Sequence, residues 1–555
     1  MGNQASQQQG PSSWAPMALP AFRLLWLAQM VSNIGTWMQT VGAQWMLVHQ
    51  PHAALLTSAV QAASLLPVLF VSLPAGVLAD LLDRRLILLA LSTVMAVLAG
   101  ALAGLTGAGL ATPTVLLIIT FLMGCGQALT NPAWQAIQPE LVPRELLPQA
   151  AALNSLNVNV ARAVGPALAG LLVAVTGPAV VFTVNAVSFV VVAVAVYAWH
   201  RPVQKSARAG GEAPVPALQA GVRYVRHAPG VRRILVRSAL FVLPASALWA
   251  LLPVTAGHNL HLGSGGYGLL LGALGLGAIA GALTIKQLRA AVPENLLLAL
   301  GGVVFAGGTV ASATLHSLAA LTVVLLPTGA AWLVNLSTFN TEMQLRLPAW
   351  VRARGLAVYL VVFMGGQGIG SLLWGAVAGA AGLTQALLAA AALLVATTAT
   401  LLWWPIIRTS TPLDRTTVST WPEPALMLDS VPDDMPVLVL VDYTVAADDV
   451  DAFVAAMRPV EQSRRRTGAV RWELYRDSAD PEHFTEVFQV ASWSEHLLQH
   501  SARTTGFDQR LLDDARSLTQ GRPRVRHLLP TASRPTGDGT GPGGSAGTGD
   551  EVPQG

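Results

Sequence analysis

The chain has 555 residues, 53% of them hydrophobic and only 11% charged, with a formal net charge of +4. A water-soluble protein carries about 25% charged residues, so this composition excludes an ordinary soluble chain and places most of it in a bilayer. The small positive surplus, with no basic stripe interleaved with aromatics, excludes nucleic acid as a partner, and the lone Cys125 excludes an intrachain disulfide or a cysteine-cluster metal site.

Residues 1–18 are polar and uncharged through MGNQASQQQGPSSWAP, without the basic n-region of a signal peptide, and read as a disordered N-terminus. Apolar runs of about 20 residues follow, the length that spans a bilayer as a helix. They fall near 20–48, 53–80, 86–107, 112–134, 149–174, 178–199, 234–256, 266–288, 294–313, 317–342, 352–379 and 383–405. Arg23 stands at the start of the first run. The other basic residues occupy alternate gaps: Arg84 and Arg85, Arg144, Arg201 through Arg237, Lys286 and Arg289, and Arg346 through Arg354. The intervening gaps hold histidines instead, among them His49, His52, His258, His261 and His316. Lysine and arginine are retained on the cytoplasmic side, so the alternation predicts a multi-pass protein of the cytoplasmic (inner) membrane with both termini inside. The preference for arginine over lysine looks bacterial. Arg162 is the one exception within a run.

The chain then divides into six crossings over 19–200, a linker over 201–232, six more over 233–405, a second linker over 406–434, a soluble unit over 435–530 and a disordered tail over 531–555. The first linker turns basic and amphipathic, with Val222, Val225 and Val231 set against Arg223, Arg226, Arg232 and Arg233, a pattern that suits the cytoplasmic membrane surface. Two six-helix halves imply a substrate path between them.

Between the second and third runs stand Gly76, Leu78, Ala79, Asp80, Asp83, Arg84, Arg85 and Leu88. Gly76 permits close helix packing, and Asp80 is placed to cap a helix or pair with an arginine, a latch on the cytoplasmic side. The alternative is an ordinary basic loop obeying the orientation rule. A degenerate second copy runs from Gly281 to Lys286 and Arg289 without an aspartate. In the fifth run, Gly165, Pro166 and Gly170 predict a kinked, tightly packed helix. Arg162 lies about 20 Å into the same run, near mid-depth, where a charge is a functional-site candidate by default. A purely structural arginine, bonded to backbone carbonyls, would fit the same position. No aspartate or glutamate occupies the centre of a run, so Glu342 and Asp80, at cytoplasmic ends, are the nearest carriers for a coupling proton. Asn33 and Gln39, Asn131, Asn157, Asn335 and Gln367 are the amide candidates for a substrate cavity, with Trp37, Trp45, Trp249, Trp332 and Trp374 as aromatic neighbours.

The stretch from Gly76 to Leu88 resembles the signature loop of the major facilitator superfamily, with Asp83 where that family usually has glycine. Gly165-Pro166 to Gly170 resembles the antiporter motif of its exporters. The resemblance implies an all-α fold of 12 transmembrane helices in two six-helix halves. It also implies proton-coupled export of a siderophore, drug or other amphipathic metabolite, with Arg162 in coupling or substrate binding.

After residue 435 the pattern changes to β-α-β-β-α-β: VLVLVDYTV, a helix from Asp448 to Arg466, AVRWELYRD, HFTEVFQVAS, a helix from Ser494 to Leu518, and RVRHLLP. That order is ferredoxin-like. It resembles dimeric α+β barrel proteins, the antibiotic-biosynthesis monooxygenases among them, and together with the membrane part it resembles the transmembrane secretion effectors, close to the enterobactin exporters. The resemblance implies a possible homodimer through this unit. His496 and His500 stand at i, i+4 beside Glu495, a metal-ligand spacing that lacks a third local ligand and reads as a surface or dimer-interface pair. No nucleophile triad or phosphate loop appears, so neither a cofactor nor enzyme activity is expected. The competing reading is a fused enzyme whose tail acts on the exported metabolite.

Overall fold

The computed structural model describes residues 12–199, 214–406 and 435–530. The two chain ends, the first part of the 201–232 linker and nearly all of the 406–434 linker lie outside the described residues. So do the side chains of 73–74, 76–77, 79–81 and 214–218, which removes the roles expected of Gly76 and Asp80. The chain forms two compact units, Met1–Leu413 and Asp414–Gly555.

The first unit is helical. A first bundle holds α1 (Pro20–Leu47), α2 (Ala53–Leu65), α3 (Pro67–Leu81), α4 (Arg84–Gly107), α5 (Pro113–Leu141), α6 (Leu147–Thr176) and α7 (Pro178–Ala198). After α8 (Pro214–His227), a second bundle holds α9 (Pro229–Val254), α10 (Ser264–Ala291), α11 (Glu294–Thr314), α12 (Leu318–Arg346), α13 (Arg352–Ala381) and α14 (Leu383–Ala399). Ten stretches among the described residues are long and apolar enough to cross a membrane. Proline opens α1, α3, α5, α7 and α9, where its missing N–H costs nothing and its fixed φ suits the first turn. At Thr176-Gly177-Pro178, Gly177 takes φ 83°, ends α6 and releases the chain into α7.

Three expectations about this unit change. The fourth run was expected to end near 134, but α5 continues to Leu141 with Pro132 and Pro139 inside it, because proline in an apolar helix can kink the chain without ending it. The apolar face of the first linker packs on protein. Tyr224 and Val225 are buried, Tyr224 meets Trp350 edge-on at 5.7 Å, and Val222 alone of that face points outward. Val231, Arg232 and Arg233, read as part of that linker, belong to α9.

Arg237, grouped by sequence with the loop cations, also lies within α9 and is buried. Its guanidinium donates to the Thr397 carbonyl at 3.3 Å, the Thr400 hydroxyl at 2.5 Å, the Thr400 carbonyl at 2.7 Å and the Trp404 carbonyl, so it caps the end of α14. A helix C-terminus leaves unpaired carbonyls and a partial negative charge, which an arginine satisfies.

The second unit comprises β1 (Val437–Thr444), α15 (Val450–Thr467), β2 (Ala469–Arg476), β3 (His483–Val490), α16 (Trp493–Leu498), α17 (Gly506–Arg516) and β4 (Gln520–Leu528). Its antiparallel sheet has the order β2-β3-β1-β4. Along β1, Val437, Val439, Val441 and Tyr443 alternate inward and join Phe453, Met457, Val460, Phe488 and Leu512 in one apolar core. The single helix expected from Ser494 to Leu518 is broken. A π turn, Gln499–Arg503, follows α16, and Thr505 caps α17 in a reciprocal box with Asp508. The Thr-x-x-Asp spelling of that box was present in the sequence.

Candidate functional site

The two bundles meet closely where glycines replace side chains. A Cβ added at Gly170 would lie 2.6 Å from the Ser264 carbonyl oxygen, and one at Gly268 would lie 2.8 Å from that of Pro166. Gly275 sits equally tight on the Ala163 backbone, with 2.5 Å to its Cα. Ala163, Pro166 and Gly170 therefore form one side of an α6–α10 seam. Gly165 faces α1 instead: its added Cβ would fall 2.7 Å from the Cβ of Trp37.

That approach places Trp37 under Arg162, whose guanidinium lies 5.6 Å from the indole centroid. Pro166 lacks an N–H, so the carbonyl four residues earlier, that of Arg162 itself, loses its helical donor. Arg162 is half-buried, and among the described residues it makes no ion pair or hydrogen bond. A cation over an indole face is worth about 0.5–2 kcal/mol, less than a buried guanidinium needs for compensation.

Trp37 also begins an aromatic row. Its ring lies 6.5 Å from Trp249, which lies 5.4 Å from Trp332, and Trp332 touches Phe241, Phe305 and Phe363 within 5.8 Å. The Nε1 of Trp249 is buried with no hydrogen-bond partner among the described residues. Two donors without acceptors, the Arg162 guanidinium and the Trp249 indole, thus lie against the same ring between the bundles.

The other inter-bundle contacts fall from mid-depth to the arginine-free ends of the helices. Trp45 stacks on Tyr267 at 5.9 Å, and the Tyr267 hydroxyl donates to Gln44 at 2.7 Å. The His49 and His258 rings are 6.5 Å apart, and Gly375 packs on Ser58.

The expected amides occupy varied places. The Asn33 amide donates to Asn157 Oδ1 at 2.9 Å, and Asn157 donates to the Trp26 carbonyl at 3.1 Å, an α1–α6 brace that engages both ends of Asn157. Gln39 is buried between Met123 and Asn185 in the first bundle. Asn131 is exposed and accepts from Gln127 at 3.2 Å. Asn335 donates to the Ala331 carbonyl at 3.0 Å and packs over Gly301 inside the second bundle. Gln367 is buried in α13. Trp374 donates to the Leu243 carbonyl at 2.9 Å. Arg162, Trp37 and Trp249 come together; these amides do not join them.

At the arginine-bearing ends, Asp83 sits at φ −64° and ψ 114° and accepts from the Arg85 N–H at 2.9 Å, capping α4. An aspartate serves there because the position is an N-cap, which favours it, and not a left-handed turn needing glycine. Arg84 bonds Glu140 at 2.9 Å and the Ala136 carbonyl at 3.1 Å, while Arg85 caps α7 at Val196 and Tyr197. These bonds fasten the loop to α5 and α7. Glu342 is paired with Arg346 at 2.9 Å, one turn along α12.

Residues 11–536 match the family described as transmembrane secretion effector. Among curated proteins, the staphyloferrin A transporter of Staphylococcus aureus is 30% identical over 225 residues, 40% of this chain and 55% of that one. The macrolide efflux protein A of Streptococcus pyogenes is 25% identical over 42% of this chain and 58% of its own. The multidrug efflux pump Tap of Mycobacterium tuberculosis is 24% identical over 67% and 90%. The chain thus spans little more than half the length of the first two relatives. Among solved structures, a bacterial homolog of the lysosomal transporter Spinster superposes with a TM-score of 0.57 at 15% identity over 71% of this chain and 97% of that one. The nucleoside transporter NupG gives 0.57 at 14% over 69% and 99%.

Proposed function

The chain belongs to the transmembrane secretion effector family, and from that premise we propose that it is a secondary active exporter of the bacterial cytoplasmic membrane, driving an amphipathic small molecule outward in exchange for protons. Its ten crossing stretches, with α1 and α14 added, make twelve, six in each bundle, and their arginine-bearing ends face the cytoplasm. The observation that carries the reading is the glycine seam beside Arg162. It closes the bundles from mid-depth to the arginine-free ends, with two unsatisfied donors and an aromatic row just inside the closure. Rocking of one bundle against the other about this point alternates access.

A substrate with an anionic or acceptor-rich head and an apolar or aromatic body matches that lining. Relatives named for staphyloferrin A, for macrolides and for multiple drugs support siderophore-like and hydrophobic drug-like classes. We assign Arg162 to the substrate head, Trp37 and Trp249 to its body, and proton exchange to Glu342 or Asp80 at the cytoplasmic ends. The sheet order of the second unit supports a ferredoxin-like module, and we read it as a dimerising or regulatory appendage.

The test is uptake into inverted membrane vesicles across siderophores, hydrophobic drugs and lipids, with and without a pH gradient. At least one class should accumulate, and only while the gradient stands. Accumulation indifferent to the gradient would remove proton exchange; accumulation of no class would remove export.

A further inference from the structure

Three histidines of the second unit converge, and the transport reading uses none of them. His496 is on α16, His500 is one turn later in the π segment, and His527 is on β4. The third position was invisible in the local sequence because strand pairing supplies it. In the β1–β4 register His527 lies opposite Val439, whose side chain is on the helix-covered face of the sheet. Alternation along β4 then leaves Arg526 and Leu528 outward and brings His527 under α16. His496, expected on a helix surface, is fully buried.

One ligand nitrogen from each ring lies within 4.8 Å of the others, and Nε2 of His496 is 3.1 Å from Nε2 of His500. Nitrogens around a tetrahedral zinc ion, with bonds of about 2.0–2.1 Å, stand roughly 3.3 Å apart. The Nε2 of His527 is buried and has no hydrogen-bond partner among the described residues. Glu495 is turned away, paired with Arg503 at 3.1 Å. We propose that His496, His500 and His527 bind one divalent first-row transition-metal ion of the zinc type.

Three imidazoles without a carboxylate favour zinc, cobalt, nickel or copper over magnesium and calcium. Three protein ligands leave a fourth position open to water or a ligand. β4 is an edge strand of the sheet, and the ion would pin it to α16.

The test uses the full chain in detergent, purified without a polyhistidine tag, stripped by a chelator, then titrated with ZnCl2 against a chromophoric indicator and with CoCl2 by visible absorption. One ion per chain, with tetrahedral cobalt bands, is expected. His527→Ala should weaken binding by more than about 100-fold, beyond the loss typical of an outer-shell residue. His483→Ala, an exposed position on β3, should leave it unchanged. His500→Gln, half-buried, repeats the test should the first variant misfold by circular dichroism. No stoichiometric uptake by the wild-type chain, or uptake surviving both ligand substitutions, overturns the site.

Discussion

At the scale of single residues, the chain keeps its charges in three different ways. Arg237 is held by four contacts at a helix end, Glu486 by a buried cage, and Arg162 by a ring alone. The Glu486 cage consists of Tyr443 at 2.9 Å, Arg464 at 2.9 Å and Trp472 at 2.9 Å. Of the three, Arg162 alone makes no hydrogen bond or ion pair among the described residues. Arg162→Ala should abolish efflux while the protein still reaches the membrane. Arg162→Lys should recover only part of it, because an ammonium cannot lie flat on Trp37. Full efflux by the alanine variant, assayed in inverted vesicles, would demote the residue to structure. In the second unit, burial alone would raise Glu486 and Asp508. Arg464 beside the first, and Arg466 with the Ser463 and Thr505 hydroxyls around the second, outweigh that and hold both below the usual carboxylate range. A depressed folded pKa means stability present above the ordinary value near 4 and lost as pH falls through the folded one. Acid should thus unfold this unit below about pH 4, and Asp508→Asn should flatten that dependence in a circular-dichroism titration. Arg162 was legible in the sequence as a charge out of place. Trp37 was legible as a candidate cavity aromatic but not as the partner of Arg162, since only the close approach at Gly165 brings it there, and Arg237 was masked by its basic neighbours.

At the scale of elements, helices announced themselves by apolar length, and their starts by proline. What the sequence could not show was which glycines are contacts. Gly170 and Gly268 look alike in the sequence, yet each removes the side chain that would hold the other's helix away. Gly170→Val should force α6 and α10 apart and favour the state open at the arginine-free side. With Cys125 replaced by alanine and a cysteine at Gln44, now bonded to Tyr267, an impermeant maleimide added outside should label faster in the Gly170→Val background. Equal labelling rates would show that the seam does not set the equilibrium. The amphipathic linker misled for a related reason: periodicity gives the apolar face of α8 but not what covers it, and here protein does. The break before α17 depended on a capping box that helical periodicity overrode.

At the scale of the whole molecule, the family match runs through both units, whereas the three curated relatives named above align over 40–67% of this chain. Each unit has its own core, so transport and the tail are separable in principle. Removing residues 436–530 should leave vesicle uptake largely intact if the tail regulates or assembles; loss of uptake with normal membrane insertion would make it part of the transport cycle. Arg237 carries a further consequence for how the chain is made. Its acceptors on Thr400 lie 163 residues downstream, so a ribosome must synthesise nearly the entire second bundle before the guanidinium finds them. Until then α9 carries a guanidinium without these acceptors inside an apolar segment. Arg237, with Arg233 on the Pro405 carbonyl and Asn295 on Ile406, thus fastens the first helices of the second bundle to the end of its last one only when that bundle is complete.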